Sequence, residues 1–128
     1  MTLDSSAVIA ILFAEPGYLD LVDRILQADH ARIGAPTLVE TSLVFIGRRG
    51  GKSADPVQEL IAELGVAVAP FGEAEARLAV DAFQRFGRGR HPAALNFGDC
   101  LAYATAAAAR DPMLFVGDDF ARTDISRA

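Results

Sequence analysis

Five acidic residues occupy positions from which their carboxylates could act together on one substrate: Asp4, Glu40, Asp99, Asp118 and Asp119. Carboxylates that converge repel one another, since two unit charges ~4 Å apart cost ~4 kcal/mol near a protein surface. They stay ionised together only around a cation, and oxygen ligands select a hard divalent ion, Mg²⁺ or Mn²⁺. Such an ion activates water near neutral pH, so this set of residues favours metal-assisted hydrolysis.

Two segments without acidic residues carry positive charge that could hold a phosphate backbone. The chain as a whole is acidic, with 12 Lys and Arg against 17 Asp and Glu, which does not by itself favour nucleic-acid binding. Residues 41–54 and 82–98 nevertheless contain no acid, and their candidate phosphate-binding residues are Arg48, Arg49, Arg88 and Arg90. Charge alone fits ordinary solvated loops equally well. Together with the carboxylates, these arginines favour hydrolysis of a phosphodiester.

The carboxylates can meet only if the secondary structure brings them to one edge of a sheet. Short apolar runs alternate with helical patterns; the predicted strands are 2–3, 31–35, 66–69 and 113–116, and helices are predicted at 5–14, from Tyr18, and at 37–49, 55–64, 72–86 and 97–110. Strands separated by helices pair in parallel, which predicts an α/β three-layer sandwich with a central parallel sheet of about four to five strands. Ligands bind beyond the carboxyl ends of such strands, where these acids fall.

Each carboxylate also has a local explanation as a helix cap. The spacing of a capping box occurs twice, at Thr37 with Glu40 and at Asn96 with Asp99. Asp4 is placed to cap the helix that follows it, and the last pair of aspartates to cap the turn after the final strand. Taken singly, capping is the commoner role of such residues. The joint pattern is what favours a site.

Length and composition exclude several classes of protein. A chain of 128 residues fits a single domain spanning 1–128, and 52% hydrophobic with 23% charged residues excludes a disordered chain. No apolar run approaches the ~18 residues that would span a membrane. Met1 to Asp4 lack the basic stretch of a secretory signal, and the single cysteine, Cys100, has no partner for a disulfide. We therefore expect a cytoplasmic protein with no membrane association.

The absence of several known motifs argues against other catalytic chemistries. The chain contains no G-x-x-x-x-G-K-[ST], no G-x-G-x-x-G and no G-x-S-x-G, so phosphate-loop, dinucleotide-binding and serine-hydrolase sites are unsupported. A receiver-type phosphoacceptor also gathers acids at this sheet edge. That family carries a lysine after the last strand, whereas the only lysine here, Lys52, lies in a predicted loop.

Four segments, in order along the whole chain, resemble PIN-domain ribonucleases and more narrowly the VapC toxins of bacterial toxin–antitoxin pairs. They are D-S-S-A from Asp4, Glu40 after a strand, L-N-F-G-D-C from Leu95, and L-F-V-G-D-D-F-x-x-T-D-I from Leu114. The N-F-G-D-C and G-D-D-F-x-x-T-D-I segments are the specific parts. The resemblance implies a PIN-like fold and a Mg²⁺-dependent endoribonuclease, homodimeric, that cleaves structured RNA such as tRNA or ribosomal RNA.

The same resemblance implies roles for individual residues. Asp4 and Asp99 would be the principal metal ligands, and Glu40 would complete the acidic cluster and orient or activate water. Ser6 would position a carboxylate, and Asn96 would brace the loop that holds Asp99. A VapB-like antitoxin would insert a C-terminal segment, typically with an arginine, into the acidic pocket.

The resemblance leaves open which residue is the fourth acid, and two alternative functions also remain. The family separates the last two aspartates by one residue, whereas Asp118 and Asp119 are adjacent, so either could be the fourth acid. The first alternative function is a stand-alone PIN nuclease of RNA processing. The second is a noncatalytic PIN-like module that binds RNA or a partner, and the presence of all the acids argues against it.

Overall fold

Strands and helices alternate along the chain in a computed structural model that describes residues 1–128. The strands are β1 (Thr2–Leu3), β2 (Arg32–Gly34), β3 (Ala67–Ala69) and β4 (Met113–Leu114). The helices are α1 (Ser5–Leu12), α2 (Tyr18–Gln27), α3 (Ala35–Arg49), α4 (Asp55–Glu63), α5 (Glu73–Phe86) and α6 (Phe97–Ala109), and a short 3₁₀ turn follows at Phe120–Arg122. No helix combines the length and the apolar character needed to cross a membrane.

The four strands form one parallel sheet in the order β3-β2-β1-β4. In its register Leu3 lies beside Ile33 on one side and Leu114 on the other. The end of the chain continues along the outer edge of β4, where the Met113 amide donates to the Ser126 carbonyl at 2.8 Å. This topology confirms the predicted α/β fold with a parallel sheet.

Helices cover both faces of the sheet, because strand side chains alternate between two apolar cores. Leu3, Ile33 and Leu114 belong to the core shared with α1 to α4. Met113 and Phe115 belong to the core shared with α5 and α6. The result is the predicted three-layer sandwich, with β2 and β1 as the inner strands of its sheet.

The beginning of α3 differs from the prediction. Helix α3 starts at Ala35 with Gly34 as its N-cap, and Pro36 lies in its first turn rather than closing the strand. Proline suits this turn because its missing N–H has no acceptor there in any helix. Thr37 is therefore the third helical residue, with a buried hydroxyl that has no hydrogen-bond partner. The predicted capping box of Thr37 and Glu40 is wrong, and the Glu40 side chain is free to make other contacts.

The beginning of α6 has the predicted capping box. The Asp99 amide donates to Oδ1 of Asn96 at 2.9 Å, and the Asn96 amide donates to Oδ2 of Asp99 at 2.9 Å. A cap of this kind contributes about 1 kcal/mol to helix stability. It also fixes the orientation of the Asp99 carboxylate at the entrance of the helix.

Candidate active site

Four of the five predicted acids form one cluster at the carboxyl edge of the sheet. Asp4 follows β1, Asp119 lies in the turn after β4, and Glu40 and Asp99 lie near the starts of α3 and α6. The charges of Asp4 and Asp99 raise the pKa of Glu40, and the charge of Asp119 raises the pKa of both aspartates. Parallel strands bring their carboxyl ends to one edge, which is why residues so distant in the chain meet here.

Asp4 is the most buried member of the cluster, with 4% of its surface exposed. Its Oδ2 accepts hydrogen bonds from the Ser6 amide at 2.9 Å and the Ser6 hydroxyl at 2.5 Å. Its Oδ1 is buried without any hydrogen-bond partner. Burial raises the pKa of Asp4 above its ordinary value, against the lowering effect of the Ser6 hydrogen bonds. A buried carboxylate oxygen without a partner is costly, and a bound cation or proton would relieve that cost.

Ser6 connects Asp4 to the last strand. Its Oγ donates to Asp4 and accepts a hydrogen bond from the Val116 amide at 3.0 Å. Val116 precedes the turn that carries Asp118 and Asp119. The Ser6 hydroxyl therefore links the Asp4 carboxylate to the backbone just before the turn that carries Asp118 and Asp119.

Glu40 and Asp99 are half-buried, and burial is the main reason that the pKa of each is raised. The charges of Asp4 and Asp99 add to the effect at Glu40, and the neighbouring Ser5 hydroxyl partly offsets it. At Asp99 the Asn96 amide and the Arg88 charge lower the pKa, whereas the other carboxylates raise it. Both carboxyls thus share the unfavourable environment of Asp4.

Gly98 makes room for the Glu40 carboxylate. A Cβ atom at position 98 would lie 2.7 Å from the carboxyl carbon and 2.7 Å from Oε2 of Glu40. Glu40 therefore packs directly on the first turn of α6, one residue before Asp99. Gly98 stands within the L-N-F-G-D-C segment, but that pattern assigns it no role. The available signal was a glycine inside the first turn of an otherwise alanine-rich helix, where glycine is unfavourable.

The structure distinguishes the two adjacent aspartates. The charge of Asp119 raises the pKa of Asp4 and of Asp99, whereas Asp118 contributes to neither. Gly117 begins this turn with φ of 99°. Its carbonyl accepts a hydrogen bond from the Arg127 guanidinium at 2.7 Å, which holds the turn against the end of the chain. Asp119 is therefore the member of the pair whose charge acts on the cluster.

The cluster is not a closed cage for a metal. No group of three or more Asp, Glu, His or Cys side chains is arranged so that it could hold an ion. Mg²⁺ in proteins usually keeps several waters and takes only one or two carboxylates, so a complete cage is not required. Asp4, with its unpartnered Oδ1, and Asp99 fit such a pair, and a cation would offset the burial and the weaker repulsion that raise their pKa values.

Of the four predicted phosphate-binding arginines, Arg88 lies nearest to the cluster. Its charge lowers the pKa of Asp99, and it takes part in none of the ion pairs of the structure. Arg90 lies on the same loop, with its guanidinium 5.6 Å from the centre of the Phe83 ring. Arg88 is thus the one of the four arginines whose charge acts on the acidic cluster.

Arg48 and Arg49 lie at the far end of α3, about 12 Å along the helix axis from Glu40. Arg48 forms an ion pair with Glu15 at 3.0 Å and packs 4.2 Å from the Phe13 ring centre. Arg49 is exposed. The structure does not bring these two arginines to the acidic cluster.

Comparison with known proteins identifies the family. A family model described as PIN domain matches residues 1–126. The chain belongs to the PIN-domain family. Ribonuclease VapC28 of Mycobacterium tuberculosis is 43% identical in an alignment that covers 100% of this chain and 97% of that protein. Ribonuclease VapC36 of the same species is 40% identical, covering 98% of this chain and 91% of the relative. These matches confirm the predicted resemblance to PIN-domain proteins of the VapC group.

Proposed function

We propose that this PIN-domain protein is a VapC-type toxin that hydrolyses RNA phosphodiester bonds as a Mg²⁺-dependent endoribonuclease. The observation that carries the proposal is the buried Asp4 carboxylate, whose free Oδ1 lies within a cluster of mutually repelling acids. The names of the VapC ribonucleases similar to the chain over its whole length support the RNA substrate. The protein would act in the cytoplasm as a single domain over residues 1–128.

The residues of the cluster would divide the work of cleavage. Asp4 and Asp99 would hold Mg²⁺, which Mn²⁺ could replace. When bound, the ion supplies activation of water and neutralisation of charge on the scissile phosphate. Glu40, with its raised pKa, is suited to orient the attacking water and accept its proton. Asp119 completes the acidic cluster.

Neighbouring residues would position the substrate and the acids. Arg88 binds an RNA phosphate beside Asp99, and Arg90 extends the positive charge along the same loop. Ser6 keeps the Asp4 carboxylate oriented through its hydroxyl. Asn96 does the same for Asp99 through the capping box. The antitoxin, a VapB-like protein, would block the site by placing a positively charged segment against the acids.

An exposed apolar surface on α3, α5 and α6 supports the proposed homodimer. Its exposed members are Val39, Leu43, Val44, Val80, Phe83 and Phe97, and Phe97 is 81% exposed. The partly buried Leu101 lines the same surface. Patches of this kind, depleted of charge at their centre, are typical of protein interfaces. A second copy of the chain would cover this surface. Leu43→Arg is expected to give a monomer in light scattering, whereas Leu26→Arg, at the similarly exposed Leu26 of α2, would leave the dimer intact.

Incubation of the purified protein with total cellular RNA tests the proposed activity. Discrete fragments with Mg²⁺, absent with EDTA and in the Asp4→Asn, Asp99→Asn double variant, are expected, and their ends would identify tRNA or ribosomal RNA targets. Fragments that persist in the folded double variant would contradict the assignment. RNA binding without cleavage, unchanged by Mg²⁺, would instead indicate the noncatalytic module. Growth arrest on expression that Asp4→Asn abolishes would separate a toxin from a stand-alone RNA-processing nuclease.

A further inference from the structure

We propose that Gly98 is a positioning residue, because its missing side chain seats the Glu40 carboxylate against α6 beside Asp99. The inference rests on the proposed function and deepens it, since it assigns a role in building the metal site to a residue that binds nothing itself. Gly98 is the second residue of α6 and is buried. A Cβ atom there would come within 2.7 Å of both the carboxyl carbon and Oε2 of Glu40, closer than side chains pack.

The backbone does not require glycine at this position. The φ angle of Gly98 is not positive, so any residue can adopt its backbone conformation. Within a helix, glycine is less favourable than alanine. The three atoms nearest to the added Cβ all belong to the Glu40 carboxyl group and none to the backbone. The contact that excludes a larger residue is therefore with Glu40.

Alanine at position 98 should change the site without changing the fold. The obstructed group is the end of a flexible side chain, which can move away at little cost. Glu40 would then move away from Asp4 and Asp99, whose negative charges now act on its carboxyl group. Displacement of a residue that supports a metal site typically weakens metal binding or activity by about 10- to 100-fold.

Gly98→Ala and a matched glycine substitution test this role. Gly47 lies in α3 with no atom within 4 Å of an added Cβ and no positive φ, so Gly47→Ala makes the same chemical change away from Glu40. In Gly98→Ala, Mg²⁺ affinity by calorimetry and the rate of RNA cleavage are each expected to fall about 10- to 100-fold. Its melting temperature in EDTA should hold or rise. Gly47→Ala should retain wild-type affinity and rate, and the same retention in Gly98→Ala would overturn the inference.

A Glu40→Ala background tests whether Gly98 acts through Glu40. Once the carboxylate is gone, Gly98→Ala should cause no further loss of Mg²⁺ affinity, and independent additive losses would overturn the inference. If Gly98→Ala alone unfolds, the double variant should regain the melting temperature of Glu40→Ala, and failure to do so would also overturn it. Wild-type protein that neither binds Mg²⁺ nor cleaves RNA would overturn the proposed function as well. An active wild type with an unaffected Gly98→Ala variant would overturn this inference alone.

Discussion

Two nearly buried aspartates lie at opposite edges of the same sheet in opposite environments. Asp111, at the amino edge, has a side chain that is 7% exposed and accepts a hydrogen bond from the Thr2 hydroxyl at 3.0 Å. The Arg32 guanidinium lies 2.9 Å from it, and the His30 ring 3.4 Å. Burial acts to raise its pKa, but these partners hold the pKa below its ordinary value. Burial raises the pKa of Asp4, whose side chain accepts hydrogen bonds from Ser6 and has other carboxylates nearby.

The two carboxylates differ in how fully the fold supplies partners for their charge. Burial acts to raise the pKa at both positions, and only at Asp111 do the partners outweigh it. At Asp111 opposite charges and a hydroxyl favour ionisation. The contacts of its carboxylate with Thr2 and Arg32 join the starts of β1, β2 and β4. At Asp4 one carboxylate oxygen, Oδ1, is buried without a hydrogen-bond partner, and the proposed function supplies that partner as a bound cation. Catalytic groups often have such unbalanced environments, whereas structural ion pairs are satisfied within the fold.

The largest expected effect is on RNA cleavage, which should depend on one edge of the sheet only. Asp4→Asn is expected to lower the cleavage rate at least about 100-fold, because an amide is a poor ligand for Mg²⁺. Asp111→Asn should leave the rate of the folded protein within about twofold, since it lies at the edge away from the cluster. Single-turnover assays below the melting temperature of both variants measure the difference. Equal losses would remove the distinction between the two edges.

Asp111→Asn, which should leave the cleavage rate nearly unchanged, should be the more destabilising of the two substitutions when unfolding is measured without metal. Asp111→Asn is expected to lower the free energy of unfolding by about 2 kcal/mol, because Arg32 loses its carboxylate. Asp4→Asn should cost nothing or stabilise the protein slightly, because asparagine caps a helix as well as aspartate does and repulsion is relieved. Urea unfolding in EDTA at neutral pH tests both expectations. A larger loss in Asp4→Asn would mean that Asp4 serves chiefly as a helix cap.

The pH dependence of stability should also differ between the edges. The folded state raises the pKa of Glu40 from an ordinary value of 4.5, so its destabilising effect grows as the pH rises from there through the folded pKa. Without metal, Glu40→Gln should therefore match the wild type at acid pH and become the more stable protein above that window. The lowered pKa of Asp111 has the opposite sign, and its contribution is lost as the pH falls through the folded value. Parallel stability curves for wild type and Glu40→Gln would contradict this account.

The smallest expected effect distinguishes the adjacent aspartates. Asp119→Asn should weaken Mg²⁺ binding by about tenfold, because its charge reaches both Asp4 and Asp99. Asp118→Asn removes the same charge one residue away and should change the affinity less than twofold. Calorimetric titration with Mg²⁺ compares them directly. The opposite order would assign the fourth acid to Asp118.

The sequence was sufficient to predict the fold and the general location of the site, but it overestimated the length of the strands. Predicted strands 31–35 and 113–116 are Arg32–Gly34 and Met113–Leu114 in the structure. An apolar run indicates burial, whereas the length of a strand depends on its pairing with neighbouring strands. The inner strand β1 has only two residues to pair with. Pro36 misled the prediction of α3, because proline marks a strand end and a first helical turn equally well.

Contacts within the site could not be predicted from spacing. The position of each acid after a strand or in a helical first turn was readable, and so was the capping box at Asn96. The selection of Asp119 over Asp118 depends on the direction of the turn that begins at Gly117, with its positive φ. The close packing of Glu40 on Gly98 joins two helices that are distant in the chain. Both require the three-dimensional arrangement of the sheet edge.

Stabilisation by Mg²⁺ tests most directly whether the cluster is a metal site. The wild type, Asp4→Asn and Asp111→Asn would be melted in EDTA and then with Mg²⁺ at increasing concentration. A ligand at 100 times its Kd stabilises the native state by about 2.7 kcal/mol, so the wild type and Asp111→Asn should show similar upward shifts. Asp4→Asn should lose most of that shift. No shift in the wild type, or an undiminished shift in Asp4→Asn, would contradict the assignment of these carboxylates as the metal site.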